Sequence, residues 1–245
     1  MTPGAQRARA LWYGYWNLAR RYHRYRAHGL EHLAARGPLL LVGYHGRPIA
    51  HDLCMLMALL EERDGRSFHP IIHGAFDAHP WLRAFIEGVS FLRGDDQEVA
   101  RAFARGQRVV VTPGGTLEGC RSHRERYQVR WGGRLGYLKL AIRHRVPIVP
   151  CAGAGVDDTY LGLNDGHAWG RRARLPFGLP LWLGVGPLGL WPLSPPWPVQ
   201  IRTFVGEPLR AHLGADPADR ASLLAHDEAV RCAVQGLLDT ARRSG

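Results

Sequence analysis

Four consecutive aliphatic residues, Leu39-Leu40-Leu41-Val42, run into Gly43-Tyr44-His45-Gly46, and this stretch constrains the chain most. An apolar run of that length, bounded by Gly and Pro, predicts a short strand. A strand apolar on both faces belongs in a parallel sheet covered by helices. Arg47-Pro48-Ile49-Ala50-His51-Asp52 then opens a helix, with Pro48 in the first turn, where a missing N–H costs nothing. Leu53, Met55, Leu56, Leu59 and Leu60 keep helical spacing as far as Glu61-Glu62. His45 therefore falls at a strand exit and Asp52 about one turn into the next helix. In open α/β sheets ligands bind at such exits. A neutral imidazole held by a carboxylate is a competent general base near pH 7.

The same alternation continues downstream. Phe68 to His73 reads as a second strand, His79 to Ile86 as a short helix ending near Gly88, and Val89 to Arg93 as a third strand released by Gly94. Asp95 or Asp96 caps a helix carrying Val99, Ala102 and Phe103, which Gly106 stops. Val109-Val110-Val111 is a buried strand ending in Thr112-Pro113-Gly114-Gly115. A helix over residues 134–144 follows, and Pro147-Ile148-Val149-Pro150 starts the next strand. Val199 to Val205 alternates like a strand with one solvated face near a sheet edge, and Asp216-Pro217 begins a last helix to about Arg242. With 245 residues, 46% apolar and 22% charged, the chain can bury one substantial core. The expected fold class is α/β: a single domain with a mostly parallel sheet flanked by helices.

Two segments depart from that pattern. Residues 7–28 place Leu11, Tyr15, Leu18, Tyr22 and Tyr25 on one helical stripe, broadened by Trp12 and Trp16 and surrounded by arginines. Such an N-terminal amphipathic helix suits the boundary of lipid headgroups and acyl chains, and equally suits packing across the domain. Between Leu175 and Ile201 no residue is charged, yet seven prolines rule out a continuous spanning helix. This apolar insert, 175–198, either rests on a membrane or covers a greasy pocket. The expected division is thus a membrane-associating helix over 1–28 and the main domain over 29–245. A net charge of +11 favours anionic partners. Nucleic acid would explain the charge but not the insert, whereas a membrane surface explains both. The four cysteines are scattered without a C-x-x-C pair, which argues for a reducing setting. No uninterrupted apolar run marks a signal peptide. The expected place is the cytoplasmic face of a membrane, peripherally bound.

Three strand ends carry unusual residues: His45 with Asp52, Arg93, and the loop from Pro113 to Glu118. In a parallel sheet they share one edge. A Gly-Gly turn such as Gly114-Gly115 exposes backbone N–H groups that hold anions or a developing oxyanion. The blocks Tyr44-His45-Gly46 with Asp52, Gly88-Val89-Ser90-Phe91-Leu92-Arg93, Thr112-Pro113-Gly114-Gly115-Thr116-Leu117-Glu118, Val146-Pro147-Ile148-Val149-Pro150 and Phe204-Val205-Gly206-Glu207-Pro208-Leu209 occur in that order. Together, over roughly residues 29–210, they resemble the glycerolipid acyltransferase superfamily, in particular its diacylglycerol acyltransferase-like branch.

The resemblance implies an O-acyltransferase that moves a fatty acyl group from acyl-CoA or acyl carrier protein to a glycerolipid hydroxyl, with no metal or redox cofactor. On it, His45 is the general base and Asp52 its partner. Arg93, Gly114, Gly115, Thr116 and Glu118 line the acceptor site, with Glu118 on the acceptor's polar end. Two departures stand out. The family spacing is H-x-x-x-x-D, whereas six residues separate His45 from Asp52, leaving His51 as a rival base. The common third block, Pro-Glu-Gly-Thr-Arg, is replaced by the Pro-Gly-Gly-x-x-Glu form of the neutral-lipid branch, which favours a mono- or diacylglycerol-like alcohol over a lysophospholipid-like acceptor. A thioester or lipid-ester hydrolase and a catalytically silent lipid-binding protein are the alternatives, although no G-x-S-x-G elbow is present.

Overall fold

The computed structural model describes residues 1–34, 37–65, 67–72, 80–175 and 178–244. Its chain order is α1 (Pro3–Tyr22), β1 (Arg26–His28), β2 (Leu39–Gly43), α2 (His51–Asp64), β3 (Phe68–Pro70), α3 (Pro80–Val89), α4 (Asp96–Ala104), β4 (Arg108–Val111), α5 (Thr116–Gly119), α6 (Gly136–Arg143), β5 (Ile148–Ala154), β6 (Leu161–Gly162), α7 (His167–Arg172), β7 (Gly184–Gly186), β8 (Gly189–Leu190), β9 (Arg202–Val205) and α8 (Arg220–Arg243). The main sheet has the order β1-β9-β5-β2-β4-β3. Strands β5, β2, β4 and β3 run parallel. The pair β9 and β1 runs the other way, with β9 antiparallel to β5.

The sheet is mostly parallel and flanked by helices, as the aliphatic runs require. Every residue of β2 and of β5 is buried, because these strands sit mid-sheet with helices on both faces. The second half of β5, Cys151-Ala152-Gly153-Ala154, is built from small residues, and α2 and α8 both pack against it. At Gly153 the approach is so close that a Cβ would lie 2.5 Å from Asp52 Oδ2.

Several expectations are corrected. The first helix stops at Tyr22, and Arg26–His28 forms the outer strand β1 instead of a last helical turn. Tertiary bonds override the helical pattern there: the Ile201 N–H donates to the His23 carbonyl (3.1 Å) and the Arg26 N–H to the Ile201 carbonyl (3.0 Å). Strand β9 does lie near a sheet edge, second from it, with β1 as the edge strand. Helix α2 begins at His51, three residues after Pro48. Tertiary bonds hold the intervening turn: the Arg47 N–H donates to Asp157 Oδ1 (3.2 Å) and Thr159 Oγ1 to the Arg47 carbonyl (3.2 Å). The strand expected over Val89–Arg93 shrinks to a single bridge between Leu92 and Ile71, because Val89 closes α3. His73 and His79 lie outside the described residues.

Helix α1 packs across the domain on one side and leaves an apolar stripe exposed on the other. Trp16 and Ala19 enter the core, and Trp12 meets Trp16, Phe85 and Phe91 edge-on at 5.3–5.4 Å between ring centroids. Arg9 and Arg20 pair with Glu61 and Glu62 of α2. Leu11, Tyr15, Leu18 and Tyr22 form a separate stripe that remains exposed. Within the apolar insert, β7 and β8 form a short hairpin that joins β6 in a three-stranded antiparallel sheet, and most of the other described residues are turn or irregular. Its Trp182 is buried, whereas Leu188 and Leu193 are 80% and 93% exposed.

A fully buried tryptophan makes α1 part of the fold. Trp16→Ala should therefore cost about 3–5 kcal/mol of stability, read as a lower urea midpoint. A midpoint equal to that of the unaltered protein would show α1 to be dispensable.

Candidate active site

His45 leaves the carboxyl end of β2 and is partly exposed. Its ring Nδ1 lies 3.1 Å from the Gly46 carbonyl oxygen, which can only accept. The proton of the neutral ring therefore sits on Nδ1, and Nε2 keeps a free lone pair. Burial, followed by the nearby Arg121 guanidinium, lowers the His45 pKa to about 4. The ring is thus neutral at physiological pH, the form a general base needs.

Asp52 does not hold this imidazole. It sits fully buried in the first turn of α2 and faces Gly153 of β5. Among the described residues neither of its oxygens has a hydrogen-bond partner. Thr203, which pairs with Gly153 from β9, and the buried Tyr25 lie in the same region. The tied turn at 47–50 carries the chain past the strand exit before α2 starts, so Asp52 points into the domain. Burial raises its pKa from 3.8 to about 7, opposed by the Leu53 N–H at the helix start. The tautomer-fixing contact expected from Asp52 comes instead from the Gly46 carbonyl.

His51, the rival base, is sealed among aromatic rings, with centroids 5.4 Å from Trp16, 6.3 Å from His23 and 6.4 Å from Tyr160. Burial lowers its pKa to about 3. Of the two histidines, His45 is the one that meets solvent.

The loop after β4 comes to His45 as expected, but with different roles. The Gly115 N–H is committed to the Thr112 carbonyl (3.0 Å), so it is not open to an oxyanion. Gly114 has no alternative: a Cβ there would fall 2.2 Å from the Glu118 carboxyl. Arg134 Nη1 donates to the carbonyls of Pro113 (3.1 Å) and Gly114 (2.8 Å) and pins the turn. Gly115 and Thr116 are partly exposed beside it. Glu118 does not face an acceptor. It is fully buried, and its carboxylate accepts the N–H groups of His45 (2.9 Å) and Arg130 (2.7 Å). Burial raises its pKa to about 7 despite Arg121. Arg93 is exposed, 3.5 Å from Glu98 of α4, and lines a separate open cleft with Arg101 and Arg105.

Beneath His45 lies a buried charged layer that the sequence did not signal. Asp157, just past β5, accepts from the Tyr44 hydroxyl (2.5 Å) and from the N–H groups of Arg47 and Tyr127. The Arg47 guanidinium is wholly buried, bonds the Asp157 carbonyl, and lies 3.8 Å from its carboxylate. The Trp182 Nε1–H of the insert donates to the Arg121 carbonyl (3.1 Å). Arg47 lies two residues beyond His45 and Arg121 three beyond Glu118, but an arginine gives no local sign of burial.

A neutral imidazole with a free Nε2, at the carboxyl edge of a parallel sheet beside a glycine turn, suits removal of a proton from a hydroxyl during group transfer. The acyltransferase family model matches residues 24–153, more than half of the chain, and the chain belongs to that family. A Bos taurus protein named as a DGAT1/2-independent enzyme synthesizing storage lipids is 28% identical over 247 residues, spanning 99% of this chain and 67% of that protein. Its Gallus gallus namesake is 32% identical over 203 residues, 81% of this chain and 55% of that protein. The fold matches the 1-acyl-sn-glycerophosphate (LPA) acyltransferase PlsC from Thermotoga maritima with a TM-score of 0.55 at 14% identity, covering 94% of this chain and 79% of that one.

The raised pKa of Asp52 gives a signed pH effect. The folded state holds this proton more tightly than the unfolded chain, so the group's contribution to stability falls as pH rises from about 4 to about 7. The stability difference between Asp52→Asn and the unaltered protein should grow in the variant's favour across that window and level off above it. Urea midpoints at several pH values read it; a pH-independent difference would refute the shift.

Proposed function

We propose that this acyltransferase moves a fatty acyl group from a thioester, acyl-CoA or acyl carrier protein, to the hydroxyl of a mono- or diacylglycerol-like lipid, with His45 as general base. The observation that carries the reading is the His45 ring itself: partly exposed, neutral, with its proton on Nδ1 and Nε2 free. Nε2 takes the proton of the acceptor hydroxyl as its oxygen attacks the thioester carbonyl. The C–S bond then breaks, and the imidazolium returns its proton to the departing thiolate, giving ester and thiol. Gly115 and Thr116 flank the acceptor. The storage-lipid names of the relatives support a neutral acceptor, and so does the engagement of Arg93 with Glu98.

Peripheral membrane contact, on the cytoplasmic face, belongs to the same proposal. The exposed α1 stripe continues into the insert, because the Tyr22 hydroxyl donates to the Pro196 carbonyl (2.8 Å). Leu188, Leu190, Leu193 and Trp197 extend the apolar surface, and the basic chain suits anionic headgroups. No helix of the described residues is long and apolar enough to cross a membrane.

General base catalysis typically supplies ~10²–10⁴-fold. His45→Ala should lose about that much acyl transfer from radiolabelled oleoyl-CoA to a panel of glycerolipid alcohols while keeping its circular dichroism spectrum. Turnover near that of the unaltered enzyme would remove His45 from the role, and release of free oleate without ester would indicate a hydrolase. For the membrane, the combined Leu11→Ser, Leu18→Ser, Leu188→Ser and Leu193→Ser variant should float less with vesicles containing phosphatidylglycerol. Undiminished flotation would assign binding to another surface.

A further inference from the structure

The backbone and ring of His45 are gripped from three directions by one short stretch, Glu118 to Arg121. The Glu118 carboxylate accepts the His45 N–H (2.9 Å). On the other side of the same residue, Arg121 Nη2 donates to the His45 carbonyl (3.2 Å). The imidazole itself lies over Gly119, where a Cβ would come 2.7 Å from ring Cε1 and 2.8 Å from Nδ1.

Arg121 is in turn fixed at every nitrogen. Its Nε donates to the Glu118 carbonyl (2.6 Å) and its Nη1 to the Gln128 carbonyl (2.7 Å), and its guanidinium lies 4.5 Å from the Tyr44 ring centre. Both charged side chains are wholly buried, with their closest charged atoms 4.0 Å apart. Burying two charges at that separation, without a tight ion pair, is a poor way to gain stability. Each charge instead ends on a backbone group of His45. A guanidinium that forks to three carbonyls from a rigid plane does what a lysine ammonium cannot.

We infer that Glu118, Gly119 and Arg121 form a cradle whose function is to set the position and orientation of the His45 imidazole, and that Arg121 is its positioning residue. The inference rests on His45 being the base. It explains the Gly-Gly turn as well: Gly114 must lack a side chain so that the Glu118 carboxylate can fold back and reach the His45 amide. It also gives the insert a part, since Trp182 holds the Arg121 carbonyl from above. The charged groups facing the ring are Arg121, Asp157 and Glu118, with His51 beyond. Of these, Arg121 is the cation that works against ring protonation alongside burial.

The test uses the full chain, with Arg121→Gln, Arg121→Lys and Gly119→Ala. Long-range proton–nitrogen NMR of its histidine rings is the first readout, with the His45 signals assigned by their loss in His45→Ala. In the unaltered protein the His45 ring should show the Nδ1–H tautomer at pH 7. Its titration should lie below the ordinary histidine range. In Arg121→Gln the midpoint should rise. In Gly119→Ala, which changes no charge and so guards against a variant that merely fails to fold, the His45 signals should shift while the remaining histidines keep theirs. The second readout is acyl transfer from oleoyl-CoA. Misplacing a reacting group by about 1 Å costs on the order of 10²-fold. Both variants should lose about that much kcat with little change in KM, and Arg121→Lys should recover part of it. Folded Arg121→Gln and Gly119→Ala proteins with unaltered His45 signals would overturn the cradle. Full activity in His45→Ala would instead overturn the base assignment, leaving the NMR result to judge the cradle alone.

Discussion

A charge taken out of water must find a partner or a dipole, and this domain buries four beneath one strand exit: Arg47, Arg121, Glu118 and Asp157. None is placed to gain much from simple ion pairing, since the closest approaches between opposite charges are 3.8 and 4.0 Å. What satisfies them is backbone. Glu118 takes two N–H groups, Asp157 takes two more and a tyrosine hydroxyl, and the arginine side chains donate to the carbonyls of Gln128, Asp157 and His45. The arrangement ties the exits of β2, β4 and β5 into one layer. Loss of any member would strand the others in a medium that cannot solvate them.

That layer accounts for the local irregularities around it. The turn between β2 and α2 cannot close early into a helix, because Arg47 is already committed to Asp157 and Thr159. The delay aims Asp52 at β5, beside Gly153 and Thr203, instead of at the imidazole. A carboxylate that would otherwise have oriented His45 is replaced by the nearest available acceptor, the Gly46 carbonyl. The neutral ring and the buried acid are then separate consequences of one path taken by the chain.

Much of this architecture was legible in the sequence. The strands β2 and β4 and the start of β5 are short apolar runs with glycine or proline near their ends, and their length together with those flanks identifies them. The strand-exit placement of His45 followed directly from that pattern. What escaped was set by partners distant along the chain. Nothing near Tyr22 announces that the helix ends there; β9, nearly 180 residues later, takes the following residues as its neighbour. Residue counting gave the interval from His45 to Asp52 but not the direction of the path between them. Glu118 and the two buried arginines carry residue types that ordinarily stay in water, so their burial has no one-dimensional signature. The insert's apolar composition was plain. Its division was not: Trp182 enters the core while Leu188 and Leu193 stay outside.

The hydrogen bond from Trp182 to the Arg121 carbonyl has a consequence for how such proteins can diverge. The three-stranded β6-β7-β8 unit looks like a detachable appendage on the main sheet, yet its underside is cut to fit this floor. A side chain at Gly162 of β6 would come 2.5 Å from an Arg47 nitrogen and 2.6 Å from that same carbonyl. Exchanging this unit between relatives would therefore transplant a mismatched lid. A working chimera has to carry the floor and the lid together, even though some 60 residues of chain lie between Arg121 and Trp182.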